Sequence, residues 1–247
     1  MRLLFINPNT SPVITDLAAT AARAVAAPGT EIVAVTGRFG ARYITTRATS
    51  AIAAHAALDA YAEHGDGCDG VVLACFGDPG LGALKELASV PVVGMAEASC
   101  HRAVAMGSRF AIVTGGERWG PMLTEFVASI GLGSKLAVVK TVAPSGGDIA
   151  RDPEGSLDLL AGACQAAVRE HGAECVILGG AGLAGLAAKL AGRVDVPLID
   201  SVTAVIKAAE ALVDAHRTKA RPGSFAVTPS TETVGLSPAL TRKLSGE

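Results

Sequence analysis

Short runs of aliphatic and β-branched residues alternate along the chain with alanine-rich stretches of helical length. Strands are expected near 2–7, 30–36, 69–75, 91–94, 109–114, 135–140, 174–179 and 196–199. Helices are expected near 12–27, 48–65, 79–88, 96–106, 117–131, 155–172, 183–191 and 201–216. The strands read as nearly unbroken apolar runs, as in a parallel sheet covered by helices on both faces. Eight such units would suit a closed barrel, but an internal repeat argues against closure.

Residues 71–97 (VVLACFGDPGLGALKELASVPVVGMAE) match 176–203 (VILGGAGLAGLAAKLAGRVDVPLIDSVT). Val71, Leu73, Gly77, Gly80 and Leu81 pair with Val176, Leu178, Gly182, Gly185 and Leu186 at a spacing of 105, and Val90-Pro91 pairs with Val196-Pro197 at 106. The opening strand has its counterpart at 109–114. The expected fold is therefore α/β, with two pseudo-symmetric, doubly wound, four-stranded parallel-sheet lobes and an active-site cleft between them. Residues 1–96 plus 201–247 would form the first lobe and 97–200 the second. Past about residue 217, RPGSFAVTPSTETVGLSPAL is rich in turn residues and is expected to close the structure.

Composition narrows the partners. Half of the 247 residues are hydrophobic, and 21 Lys and Arg against 23 Asp and Glu give a net charge of −2. This is a folded chain without the basic excess that tracks a polyanion, so nucleic acid is not expected. The N-terminal apolar run ends at Asn-Pro-Asn and is short for a signal peptide, and no apolar run is long enough to span a membrane. A cytoplasmic protein without a membrane partner is the expectation. The five cysteines, at 68, 75, 100, 164 and 175, show no zinc-like spacing and read as reduced thiols, with no metal.

Ligands of doubly wound sheets bind beyond the carboxyl ends of the strands. Four loops occupy those ends: Asn7-Pro8-Asn9-Thr10-Ser11, Cys75-Phe76-Gly77-Asp78-Pro79-Gly80, Thr114-Gly115-Gly116-Glu117 and Gly179-Gly180-Ala181-Gly182. Cys75 is the group suited to acid–base work, and a helix starting at Pro79 with Asp78 as its N-cap would lower the thiol pKa through its dipole. As a bystander, Cys75 would be a small core residue. Trp119 and Phe76 either cover an apolar substituent of the substrate or join the core. Tyr43 falls in a long loop, 37–47, carrying Arg38, Arg42 and Arg47, of the kind that often forms a lid. Glu97 and His101 stand four apart on one helix face, commonly a solvated pair. His55, His64, His171 and His216 read as exposed helical positions. Gly180-Ala181-Gly182-Leu183-Ala184-Gly185, with Asp200 twenty residues on, also spells a dinucleotide fingerprint, although the repeat accounts for the glycines at 182 and 185 without a nucleotide.

The Asn-Pro-Asn-Thr-Ser loop after the first strand, followed by Ala74-Cys75-Phe76-Gly77-Asp78-Pro79-Gly80, resembles the hydantoin racemase branch of the aspartate/glutamate racemase superfamily, which includes the allantoin racemases. The resemblance covers essentially the whole chain. It implies a homo-oligomeric, cofactor-independent isomerase in which one cysteine from each lobe serves one face of a carbon acid, here a 5-substituted hydantoin, allantoin or a related amino-acid derivative. Cys75 would be the acid/base. Asn7, Asn9, Thr10, Phe76, Gly77, Glu97, Thr114, Gly115, Trp119, Gly179, Ala181 and Gly182 would hold the substrate, partly through main-chain N–H groups. The family's second cysteine falls on Gly180, which the repeat independently pairs with Cys75. Cys175 begins the same strand, about five residues or roughly 16 Å away, and cannot substitute. This departure leaves several readings open. The chain would be an engineered variant of a racemase, or a natural branch that recruits another donor such as Glu97, Cys100, Asp200 or a water; otherwise it performs one-sided chemistry such as decarboxylation with protonation, or binds its ligand without reacting.

Overall fold

The computed structural model describes residues 1–215, 223, 226 and 229–245. Two four-stranded parallel sheets carry the molecule. In the first, β1 (Arg2–Asn7), β2 (Glu31–Thr36), β3 (Gly70–Leu73) and β4 (Val92–Gly94) lie in the order β2-β1-β3-β4. In the second, β5 (Phe110–Gly115), β6 (Leu136–Val142), β7 (Cys175–Leu178) and β8 (Leu198–Asp200) repeat it as β6-β5-β7-β8. Each sheet reverses direction beside its first strand, so a crevice opens at the ends of β1 and β3 and another at the ends of β5 and β7.

Side chains alternate across each strand; both faces are buried in the central strands β1, β3, β5 and β7, while the edge strands β2 and β6 are largely half-buried. Leu4, Ile6, Val71 and Leu73 pack outward against α2 (Arg47–His64) and α3 (Leu81–Leu87). Ala111, Val113, Val176 and Leu178 do the same against α7 (Leu157–His171) and α8 (Leu186–Lys189). The inner faces meet: Leu3, Phe5 and Val72 of the first sheet share one core with Phe110, Ile112 and Ile177 of the second. Residues from α1 (Pro12–Val25), α4 (Met95–Val104), α5 (Trp119–Ser129) and α9 (Ser201–Ala215) fill the same core. The α1 start has Ser11 as N-cap and Pro12 in the first turn, where a missing N–H costs nothing.

Three local expectations change. The helix expected from Pro79 begins only at Leu81, because Gly80 is its N-cap in the left-handed region at φ 77°. Asp78, itself at φ 47°, caps a different helix: its carboxylate accepts from the Ala96 and Glu97 N–H groups, at 3.0 and 2.7 Å, at the start of α4. The helix expected over 183–191 shrinks to a 3-10 turn at Ala181–Leu183 and the four residues of α8, interrupted by Gly185 at φ 80°. A short helix not anticipated from sequence, α6 (Gly146–Arg151), is nucleated by a capping box between Ser145 and Asp148. At the C-terminus α10 (Pro238–Ser245) packs on α2 through Ala239, Leu240 and Ala62. His216 and most of 217–228, where closure of the fold was expected, lie outside the described residues. Among the described residues no helix is long and apolar enough to cross a membrane.

Candidate active site

The four strand-end loops converge on one cavity of about 90 Å³ between the sheets. From the first half come Asn9, Cys75 and Phe76; from the second come Thr114, Gly115, Trp119 and the run Gly179-Gly180-Ala181-Gly182. Cys75 and Gly180, paired by the repeat, thus face a common space. Four other expected site residues lie elsewhere. Asn7 is buried scaffolding whose amide donates to Asn9 Oδ1 and Thr15 Oγ1, both at 2.9 Å. Thr10 holds the neighbouring loop by donating its N–H to the Ala41 carbonyl at 3.1 Å. Gly77 lies behind the wall, under the Trp119 ring. Glu97 is turned into a separate groove of about 1020 Å³ beside β4 and β8, where Lys85 Nζ stands 2.7 Å from both of its carboxylate oxygens.

The sequence did not single out Ile14, Ile44, Thr45, Ser145, Gly146, Gly147 or Leu183 as lining residues. The Ser-Gly-Gly-Asp spacing of the α6 capping box was the available signal for three of them, masked by two glycines that disfavour a helix. Tyr43 also lines the cavity, and its neighbour Ile44 packs beside Cys75, Ala53 and Trp119. The loop that carries both is anchored at its start by the Gly37 N–H, which bonds the Asn7 and Asn9 carbonyls, and by Arg38, bidentate at 2.9 Å to the buried Asp59. At its far end Arg47 meets Glu125 of α5.

The electrostatics reverse one expectation. Cys75 is 8% exposed and is not at a helix start, and burial, helped by the Asp78 carboxylate, pushes its thiol well above the ordinary range. Burial also raises Asp78, to about 7, against the two N–H groups that stabilise its anion. Thr114 donates its hydroxyl to the Gly179 carbonyl at 2.7 Å, fixing the loop that carries Gly180. A Cβ at Gly180 would find ordinary contacts, 3.6 Å from Leu183 and 3.9 Å from the Thr114 hydroxyl, but the backbone there sits at φ 131°.

The dinucleotide fingerprint dissolves in this geometry. Gly182 is bare because the Gly146 carbonyl approaches its α-carbon, and Asp200 is engaged by the Gly185 and Thr203 N–H groups, at 2.7 and 2.8 Å. The four-residue α8 offers no developed dipole to a pyrophosphate.

Comparison with known proteins agrees with this arrangement. The profile of the Asp/Glu/Hydantoin racemase family matches residues 3–209. A hydantoin racemase of Paenarthrobacter aurescens is 40% identical over 217 residues, covering 86% of this chain and 91% of that protein. The crystal structure of an allantoin racemase from Pseudomonas fluorescens superposes with a TM-score of 0.92 at 34% identity, covering 95% of this chain and all of the other. An allantoin racemase from Klebsiella pneumoniae gives 0.91 at 37% identity, over 97% and 98% of the two chains. With its paired parallel sheets and matching profile, the chain belongs to the Asp/Glu/Hydantoin racemase family and is an isomerase of the racemase type.

Proposed function

We propose that the enzyme racemises a neutral cyclic ureide, a 5-substituted hydantoin or allantoin, without a cofactor, and that Cys75 exchanges the proton at the ring carbon. The carrying observation is that none of the side chains lining the Cys75 cavity is charged. Free aspartate or glutamate, or a malonate awaiting decarboxylation, would bring carboxylates into this space with no cation among its lining side chains to meet them, a costly burial. A ureide brings only amide N–H and C=O groups, which backbone groups of a glycine-rich loop and the Asn9 amide can pair.

Cys75 serves one face of the ring. As a thiolate it takes the proton from C5, and the electron pair moves into the adjacent carbonyl as an enolate. The Gly116, Gly179 and Gly180 N–H groups already donate to the Val142 carbonyl, the Val113 carbonyl and Ser201 Oγ, so the Ala181 and Gly182 N–H groups of the loop beyond β7 are the donors offered to that oxygen. The same reading places the enzyme in the cytoplasm as a homo-oligomer acting on a small molecule.

The test incubates single enantiomers of a 5-alkylhydantoin, allantoin and aspartate with the enzyme in D₂O, following optical rotation and deuterium uptake. The reading expects both signals for a ureide and neither for aspartate. Turnover of aspartate but no ureide would reject it, and binding with neither signal would mark a non-catalytic role.

A further inference from the structure

We propose that Tyr43 is the acid/base for the face of the substrate opposite Cys75, where the repeat provides only Gly180; this rests on the ureide reading above.

The cavity wall contains few exchangeable protons, and most are committed. Ser145 donates its hydroxyl to Asp148 at 2.7 Å and accepts from the Asp148 N–H. Thr114 donates to the Gly179 carbonyl. Asn9 Oδ1 accepts from Asn7 and from the Ser11 N–H, both at 2.9 Å, and an amide is no acid in any case. Thr45 is an exposed aliphatic alcohol. The Tyr43 phenol enters none of the hydrogen bonds found among the described residues, and a phenol is a far stronger acid than an aliphatic alcohol.

Position agrees with chemistry. Tyr43 and Ile44 are consecutive in a loop crossing the cleft, and they pack against different neighbours. Ile44 joins Cys75, Ala53 and Trp119. The Tyr43 ring lies on the bare α-carbon of Gly147 in α6, where a Cβ would stand 2.5 Å from Cζ. Gly146, next to it, is in contact with Gly182, so the ring rests on the structure that backs the Gly180 loop. A loop of the first half therefore delivers a phenol to the side of the cavity where the repeat provides no side chain.

The proton balance closes. For one enantiomer the Cys75 thiolate takes the C5 proton, forming S–H, and the enolate pair then takes the Tyr43 proton on the other face, leaving tyrosinate. Exchange with water returns both groups to their starting states. The other enantiomer runs the same steps in reverse, with tyrosinate as base and the thiol as acid.

The experiment compares wild type with Tyr43→Phe on both enantiomers of a ureide in D₂O, with melting curves to establish that the variant folds. Inversion is expected to fall at least about 100-fold, while one enantiomer, the one whose C–H faces Cys75, continues to exchange its proton with retained configuration within a few-fold of the wild-type rate. Gly147→Ala, which displaces the ring, should produce the same separation of exchange from inversion. Wild-type-like inversion in Tyr43→Phe, or equal loss of inversion and exchange in a folded variant, overturns the assignment alone. A wild type that neither exchanges nor inverts any ureide overturns the ureide reading and this assignment with it.

Discussion

The Trp119 indole, from the second half of the chain, lies on the bare α-carbon of Gly77 in the first; a Cβ there would stand 2.7 Å from Cζ3. The converse contact also exists: Phe76 of the first half covers Gly179 of the second, where a Cβ would stand 2.6 Å from Cε1. Two aromatic rings crossed over two glycines fix the distance between the strand ends that carry Cys75 and Gly180.

Gly179→Ala is therefore expected to destabilise the protein by about 1–3 kcal/mol through overpacking, and to slow turnover by moving the loops apart. Combining it with Phe76→Leu, which withdraws the ring, should cost less than the sum of the two single changes. Urea denaturation of the three variants measures the coupling. Additive losses would show that the ring and the glycine do not constrain each other.

The pH dependence of catalysis follows from the Cys75 thiol. Burial holds it protonated well above the ordinary thiol range, so the base form in the free enzyme is scarce at neutrality. The rate constant kcat/KM for the enantiomer deprotonated by Cys75 should rise about tenfold per pH unit through neutral and mildly alkaline pH. Cys75→Ala should abolish turnover of both enantiomers. A flat profile between pH 6 and 9 in the wild type would place the base elsewhere.

A thiol at Gly180 has room for its side chain but not the right backbone. At φ 131° an L-residue is strained, at a cost of about 1–3 kcal/mol. Gly180→Cys and Gly180→Ala should lose similar stability, about 2–4 °C in melting temperature for each kcal/mol. Equal losses would locate the penalty in the main chain. An unshifted melting curve for both would mean that the 179–182 loop rearranges freely.

Asp78 makes stability depend on pH in an unusual direction. Its folded-state pKa is raised to about 7 from 3.8, so between these values the folded protein binds more protons than the unfolded chain. Its contribution is thus fully favourable below about pH 4, and is lost as pH climbs toward 7. Asp66, Asp148, Glu170, Glu174 and Glu210 shift downward and act in the opposite sense at more acidic pH. Denaturation midpoints should fall between pH 5 and 7 in the wild type, and Asp78→Asn should remove that slope. An unchanged slope in the variant would assign the effect to another group.

The strands were legible in sequence because burial on both faces leaves runs such as Leu3-Leu4-Phe5-Ile6 uninterrupted, and the repeat then supplied the pairing of Cys75 with Gly180. Capping was harder to read. Asp78 precedes Pro79 and looks like the start of the next helix, yet its carboxylate crosses to α4 eighteen residues on, a choice set by tertiary proximity. Asn7 and Asn9 look equivalent in the sequence, but only Asn9 lines the cavity, because the Asn7 amide is consumed in tying the loop to Thr15. Glu97 followed the fourth strand as expected of a site residue, but Lys85 draws its carboxylate into the neighbouring groove. Tyr43 was marked in sequence only as part of a long loop of the kind that forms a lid; its place at the cavity depends on that loop folding back over Gly147.

The common core behind the two sheets bears on how such a molecule can arise and evolve. Either half alone would leave Leu3 and Phe5, or Phe110 and Ile112, facing water along an entire sheet, so an ancestral single unit would have needed to pair with itself. Joined in one chain, the two halves can differ at their strand ends, Cys75 in one and Gly180 in the other, without giving up the surface each needs the other to cover.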